Sequence, residues 1–301
     1  RAVPITQNIE MDETPVWSPD GTQIAFTTNR FGGRDIMVAS VEGGMPKRVT
    51  FHPGADNLSD WTPDGKGLYF NANREKAEGG VYRIDIATGQ IREIALDFVA
   101  LSGAVVSPDG KDLVAMRLGF PWYRPRYEGS AAADLVRIDL TSGARTTLRD
   151  NGFQHLWPQY GPDGAVYCIS VTDKTPSSRK VNESAKKFTD SSARTPNVLR
   201  IDRNGGAKRL TDHIGDPVRW LSVARKSGDW AYVQGGQVHV ARSGKAPQVI
   251  RLTANLDDRM NFSERRILNS GASEAALSPK GDIMAFDDSW HEPSLNSATS
   301  A

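Results

Sequence analysis

Trp17-Ser18-Pro19-Asp20-Gly21, followed by Ile24-Ala25-Phe26-Thr27, is the stretch on which the fold reading turns. Proline presets φ at the first central position of a tight turn, aspartate bonds back to the local backbone, and glycine takes the positive φ. An apolar strand, Pro15-Val16-Trp17, enters that turn, and a β-branched and aromatic strand leaves it. The signature returns as Trp61-Thr62-Pro63-Asp64-Gly65, Ser107-Pro108-Asp109-Gly110 and Tyr160-Gly161-Pro162-Asp163-Gly164. Ser278-Pro279-Lys280-Gly281 is a near copy, and Ala224-Arg225-Lys226-Ser227-Gly228 a worn one. The prolines at 19, 63, 108 and 162 stand 44, 45 and 54 residues apart. Repeats of about that length, each with four short strands, mark a β-propeller.

Each repeat supplies the remaining strands. In the first, Asp35-Ile36-Met37-Val38-Ala39 and Lys47-Arg48-Val49-Thr50 flank the Glu42-Gly43-Gly44 turn. Later third strands are Val81–Asp85, Leu135–Asp139, Val198–Asp202 and Gln237–Val240. Alternation or short apolar runs characterise them all, and no long helical period competes. The expectation is an all-β propeller of four-stranded antiparallel blades, five complete plus a partial sixth, spanning 1–286. The repeats fall near 11–54, 55–103, 104–154, 155–216, 217–262 and 263–286, and a polar tail follows at 287–301. Residues 1–10 are expected to supply an outer strand for the unfinished blade, or else the ring is incomplete.

Composition sets outer limits. The 301 residues carry net charge +1, from 37 basic and 36 acidic side chains, which argues against nucleic acid as a partner. No apolar run approaches the roughly 18 residues of a membrane span. The single cysteine, Cys168, excludes an intrachain disulfide and falls on a central strand, where an inert buried thiol is expected.

Function is expected on one face. The a–b and c–d turns of a blade lie together, and the b–c and d–a connections lie on the opposite side. The long segments, about Arg117–Ala133 and Thr172–Pro196, are both b–c connections. The first holds Trp122, Tyr123, Arg124, Arg126 and Tyr127, which combine apolar area with directional donors and suit a peptide or protein ligand. The second has net charge +3 and reads as a solvated loop or a docking segment for an acidic partner. Asp12, Asp56 and His155 each precede the Trp or Tyr of a first strand by five residues. They are placed in the d–a connections, where they line a channel mouth or satisfy neighbouring backbone.

Catalytic machinery is not found in the sequence. Gly271-Ala272-Ser273-Glu274-Ala275 lacks the final glycine of a nucleophile elbow, and the histidines at 52, 155, 213, 239 and 291 are scattered. There is no zinc spacing and no phosphate loop, and Asp257-Asp258 lacks the ligands of a calcium loop. No cofactor and no metal are expected.

The pattern Trp17-Ser18-Pro19-Asp20-Gly21, Ile24-Ala25-Phe26, Arg30, Asp35-Ile36, Gly43-Gly44, Arg48-Val49-Thr50 resembles the TolB-like propeller repeat. Thr50-Phe51-His52-Pro53-Gly54, the Trp122–Ser130 loop and Val218–Val223 are similar to the N-terminal propeller of tricorn-type serine peptidases. That resemblance implies a non-catalytic region that gates or docks peptides, with PDZ and protease domains downstream and a periplasmic or secreted location. Pro125 and Arg126 stand where that family usually has a basic residue and a glycine. A free-standing TolB-like scaffold, or the propeller of an amidohydrolase or prolyl-oligopeptidase-type hydrolase, are the alternatives, and a cytoplasmic location stays open.

Overall fold

The proline turns of the first three repeats are closed by the same backbone bond. Ser18 N donates to Gln23 O at 2.9 Å, Thr62 N to Gly67 O at 2.8 Å and Ser107 N to Asp112 O at 2.9 Å. The hydroxyl of the residue before the proline donates to the turn aspartate, at 2.6 Å for Ser18 and Asp20 and 2.7 Å for Ser107 and Asp109. These bonds hold the Asp20 and Asp109 carboxyls below the usual carboxylate range. The recurring sequence signature is thus a recurring local hydrogen-bond set.

A computed structural model of the chain describes residues 4–6, 10–74, 79–119, 124, 126–171, 195–242, 245–257, 263–268 and 274–287. Among them there are strands and no helix. The first blade is β1 (Asp12–Trp17), β2 (Gln23–Thr28), β3 (Asp35–Ser40) and β4 (Lys47–Arg48). The second is β5 (Asp56–Trp61), β6 (Gly67–Ala72), β7 (Gly80–Asp85) and β8 (Ile91–Leu96). The third is β9 (Leu101–Val106), β10 (Asp112–Arg117), β11 (Asp134–Asp139) and β12 (Arg145–Arg149). The fourth is β13 (His155–Tyr160), β14 (Val166–Ser170), β15 (Asn197–Ile201) and β16 (Ala207–Arg209). The fifth is β17 (Arg219–Val223), β18 (Trp230–Gln234), β19 (Gln237–Ala241) and β20 (Gln248–Val249). All five are antiparallel meanders in sequence order, as expected for a propeller.

Beyond the fifth blade the chain forms two hairpins, β21 (Leu252–Asp257) with β22 (Ser263–Leu268), and β23 (Glu274–Leu277) with β24 (Met284–Asp287). No turn signature announces the first hairpin, and among the described residues its two strands pair only with each other. The second lies between blades five and one, with β23 against both β17 and β1. Trp17 Nε1 donates to Ala276 O at 3.0 Å, as Trp61 Nε1 donates to Val16 O at 2.9 Å between blades one and two. Leu277 N donates to Ser222 Oγ at 2.9 Å on the other side. The outer strand expected from residues 1–10 does not appear at 4–6, which pair with nothing as strand; the remainder lies outside the described residues or, at Glu10, in no strand. Instead Ile5 packs on Trp17, Phe26 and their neighbours.

The core sits between blades, not within them. Ala25, Ile36 and Val38 of the first blade pack on Trp61, Phe70 and Tyr82 of the second, and the next interfaces repeat this. The turns also interlock around the ring. A Cβ placed on Gly21 would stand 3.5 Å from Pro279, one on Gly65 3.8 Å from Pro19, and one on Gly110 3.5 Å from Pro63. At the worn fifth turn the neighbour of Gly281 is Ser227 in place of a proline. Cys168 is fully buried in β14, and burial pushes its thiol up to about 12, so it is an inert packing residue.

Candidate functional site

Asp12, Asp56 and His155, predicted in the d–a connections, are instead the first residues of β1, β5 and β13. Their register partners Thr28, Ala72 and Ser170 end the second strands, so all three mark the face of the b–c and d–a connections. Asp12 is ion-paired to Arg30, and Asp56 receives Arg74 through two nitrogens, at 2.6 and 3.2 Å. Each arginine lies 18 residues after its aspartate and just past the second strand. Burial raises the Asp56 carboxyl against the pull of Arg74. His155 is fully buried, its Nε2–H donating to Asn151 Oδ1 at 2.9 Å. These residues anchor the connections where they enter the sheet.

The described residues of the aromatic insertion lie on the same face. Trp122 and Tyr123 fall outside the described residues, as does the basic segment 172–194. Arg124 and Arg126 are exposed and Tyr127 is half-buried, with the Arg124 guanidinium 5.4 Å from the Tyr127 ring. Arg124 O accepts from Gln154 Nε2 at 2.7 Å, and Gly129 N donates to Gly152 O at 2.8 Å. Arg126 donates to Gly215 O, in the connection between blades four and five. The loop is therefore tied across two neighbouring connections. Five large apolar residues are exposed on this face: Met11, Phe31, Phe51, Phe98 and Ile214. Phe98 is 97% exposed and Phe51 69%. Arg48 stacks between Phe31 and Phe51, at 4.0 and 4.7 Å from their centroids.

A second region was missed by sequence reasoning. The innermost strands β1, β5, β9, β13, β17 and β23 surround a central cavity of about 150 Å³. Each of the five blades carries a bulge in its innermost strand. In four of them the bulge holds a left-handed residue five positions before the turn proline or its replacement: Thr14 (φ 55°), Gly103 (57°), Trp157 (49°) and Trp220 (54°). Only glycine takes such a φ freely, and a bulky residue there is strained by roughly 1–2 kcal/mol. Trp157 and Trp220 nevertheless occupy it, their ring centroids 5.0 Å apart, and both border the cavity.

At the turn end the cavity is crossed by an ion pair. Arg225 of the worn turn, standing where other repeats have proline, reaches Asp60 of β5 in the second blade. Asp60 also accepts Val106 N at 2.9 Å and Trp61 N at 2.8 Å. It is fully buried, and burial pushes its carboxyl up while Arg225 and both amides hold it down. This strut joins the second, third and fifth blades. The available signal was the degraded turn itself, since a local rule is broken where another role takes the position.

The comparisons with known proteins agree with this architecture. Residues 1–247 match the model of the tricorn protease N-terminal beta propeller domain. The uncharacterized peptidase YuxL of Bacillus subtilis is 26% identical over 181 residues, which is 59% of this chain and 25% of that protein. Tricorn protease homolog 1 of Streptomyces coelicolor is 42% identical over 66 residues, 20% of this chain and 6% of that one. The chain thus matches a quarter or less of the length of these relatives. Among solved structures, a putative TolB from Agrobacterium tumefaciens superposes with TM-score 0.65 at 18% identity, covering 94% of this chain and 92% of that one. With five four-stranded propeller meanders and a family match over most of its length, the chain belongs to the tricorn protease N-terminal β-propeller family.

Proposed function

We propose that this chain is the non-catalytic propeller region of a tricorn-type serine peptidase and that it receives or gates peptides on its loop face. One observation carries the reading: Arg124, Arg126 and Tyr127 of the insertion and five exposed apolar residues share one side of the ring. Exposed apolar area beside directional cations is the composition of a recognition surface. Trp122, Tyr123, Arg124, Arg126 and Tyr127 are its proposed contact residues, while Asp12, Asp56 and His155 anchor connections on the same face in blades one, two and four. The ring is read as having six positions, with β23 and β24 as the inner half of the sixth. PDZ and protease domains downstream, and a periplasmic or secreted location, belong to the same proposal.

The test uses the full-length peptidase. Arg124→Ala with Tyr127→Ala should slow turnover of long peptides at least about threefold more than that of short ones, a differential loss of about 0.6 kcal/mol or more. Equal slowing of both would reject gating. A free-standing scaffold, the second reading, is favoured by the exposed Phe51 and Phe98, which need no protease to find a use. It expects a stable envelope-protein partner whose retention is lost in Phe51→Asp and Phe98→Asp.

A further inference from the structure

The central cavity combines strain, size and charge in one place. Gly103 shows that the bulge position is satisfied without strain by glycine, yet blades four and five place tryptophan there. Strained residues of this kind persist where their side chains are used, and they cluster at ligand clamps. A cavity near 150 Å³ has the volume that admits a single six-membered ring. Pro15, Val16, Leu58 and Leu221 complete much of its apolar wall. The charged residues bordering it are Asp60 and Arg225.

We propose that the central channel is a blind binding site for an apolar group that ends in a carboxylate, with Arg225 as its anchor and Trp157 and Trp220 as its wall. A guanidinium offers five N–H donors in a rigid fork, and the bond to Asp60 uses one nitrogen. The Arg225 side chain lines the cavity and is 22% exposed, whereas Asp60 is 2% exposed and already accepts two backbone amides. A second carboxylate therefore meets the open edge of the fork. The strut lies at the turn end of the cavity, so in this proposal a ligand enters from the loop face and stops at Arg225. Two sources carry this chemistry: a free small carboxylate and the C-terminal end of a peptide. The site stands on the channel alone and does not depend on the reading of the outer face.

The experiment titrates the protein with N-acetylphenylalanine, its primary amide, and acetyl-triglycyl-phenylalanine. Calorimetry gives affinities, and the indole N–H resonances of Trp157 and Trp220, assigned through Trp157→Phe and Trp220→Phe, give location. The acid is expected to move both indole signals and to bind about tenfold tighter than the amide, because only the acid forms a charge-assisted bond. Arg225→Lys, which keeps a cation opposite Asp60 but loses the fork, should reduce that preference to about threefold or less. Binding of the tetrapeptide as tightly as the single residue identifies a chain end as the occupant, and exclusion of the tetrapeptide identifies a free carboxylate; either upholds the site. Equal binding of acid and amide, or unmoved indole signals at millimolar ligand, overturns it. Should Arg225→Lys fail to fold, the acid and amide comparison on the unaltered protein still decides.

Discussion

Acidification from about pH 8 to about pH 5 should destabilise this fold by about 2 kcal/mol through His155 alone. The ring is fully buried, its Nε2–H is committed to Asn151, and Nδ1 has no partner among the described residues. Burial first, and the Arg149 guanidinium second, push its pKa down to about 3. An imidazole in the unfolded chain titrates near 6.5. The native state therefore keeps the ring neutral while the unfolded chain takes up a proton. Stability is complete above about pH 6.5 and is lost as pH falls, at about 1.4 kcal/mol per unit, until about pH 3. At about pH 5 the unfolded imidazole is almost wholly protonated, and RT ln(1 + 10^1.5) is about 2 kcal/mol. Urea unfolding of the parent and of His155→Gln at both pH values isolates this share, because the carboxylates common to both cancel. Glutamine retains a donor for Asn151 and does not titrate. The parent should lose about 2 kcal/mol more than the variant between the two conditions. Equal losses, or an NMR titration of the 155 imidazole near its free value, would refute the reasoning.

Trp17→Phe removes the indole bond to Ala276 O and should cost about 1 kcal/mol. Hydrogen exchange should then rise in β23 and β24 and stay unchanged in β7; a uniform rise would deny that the indole holds this hairpin. Gly67→Ala places a Cβ 2.6 Å from Ile84 O and should destabilise by about 1–3 kcal/mol in thermal unfolding. Gly89→Ala meets no atom within 4 Å and suffers only its φ of +73°, so about 1 kcal/mol is expected. A milder effect at Gly67 than at Gly89 would contradict the packing described here.

The blades were legible because their information is local. Ser18, Pro19, Asp20 and Gly21 complete their bonds within six residues, so their order in the chain states the turn directly. The loop face followed from strand alternation, and the structure keeps Arg124, Arg126 and Tyr127 there. Contacts made across the ring leave no such trace. Asp60 and Arg225 are 165 residues apart, and although the worn turn marks Arg225 as unusual, nothing in the chain order names Asp60 as its partner. Asp12 and Asp56 were visible as equivalents, but their pairing with Arg30 and Arg74 requires knowing that the second strand returns beside the first. The left-handed tryptophans were hidden because nothing in the residue type announces a bulge; tryptophan is among the last residues expected at such a φ.

The way Gly21, Gly65, Gly110 and Gly228 each rest on the proline of the neighbouring repeat's turn bears on how such a protein can be rebuilt. A module cut at its strand boundaries carries half of two such contacts, one at each border. Transplanting the fifth repeat elsewhere would bring Arg225 and Ser227 to a junction shaped for proline, and would leave Asp60 without its counter-ion. Repeats one and three, whose turns have both proline and glycine and hold neither end of the strut, are the interchangeable parts, while the second and fifth are bound to each other's address.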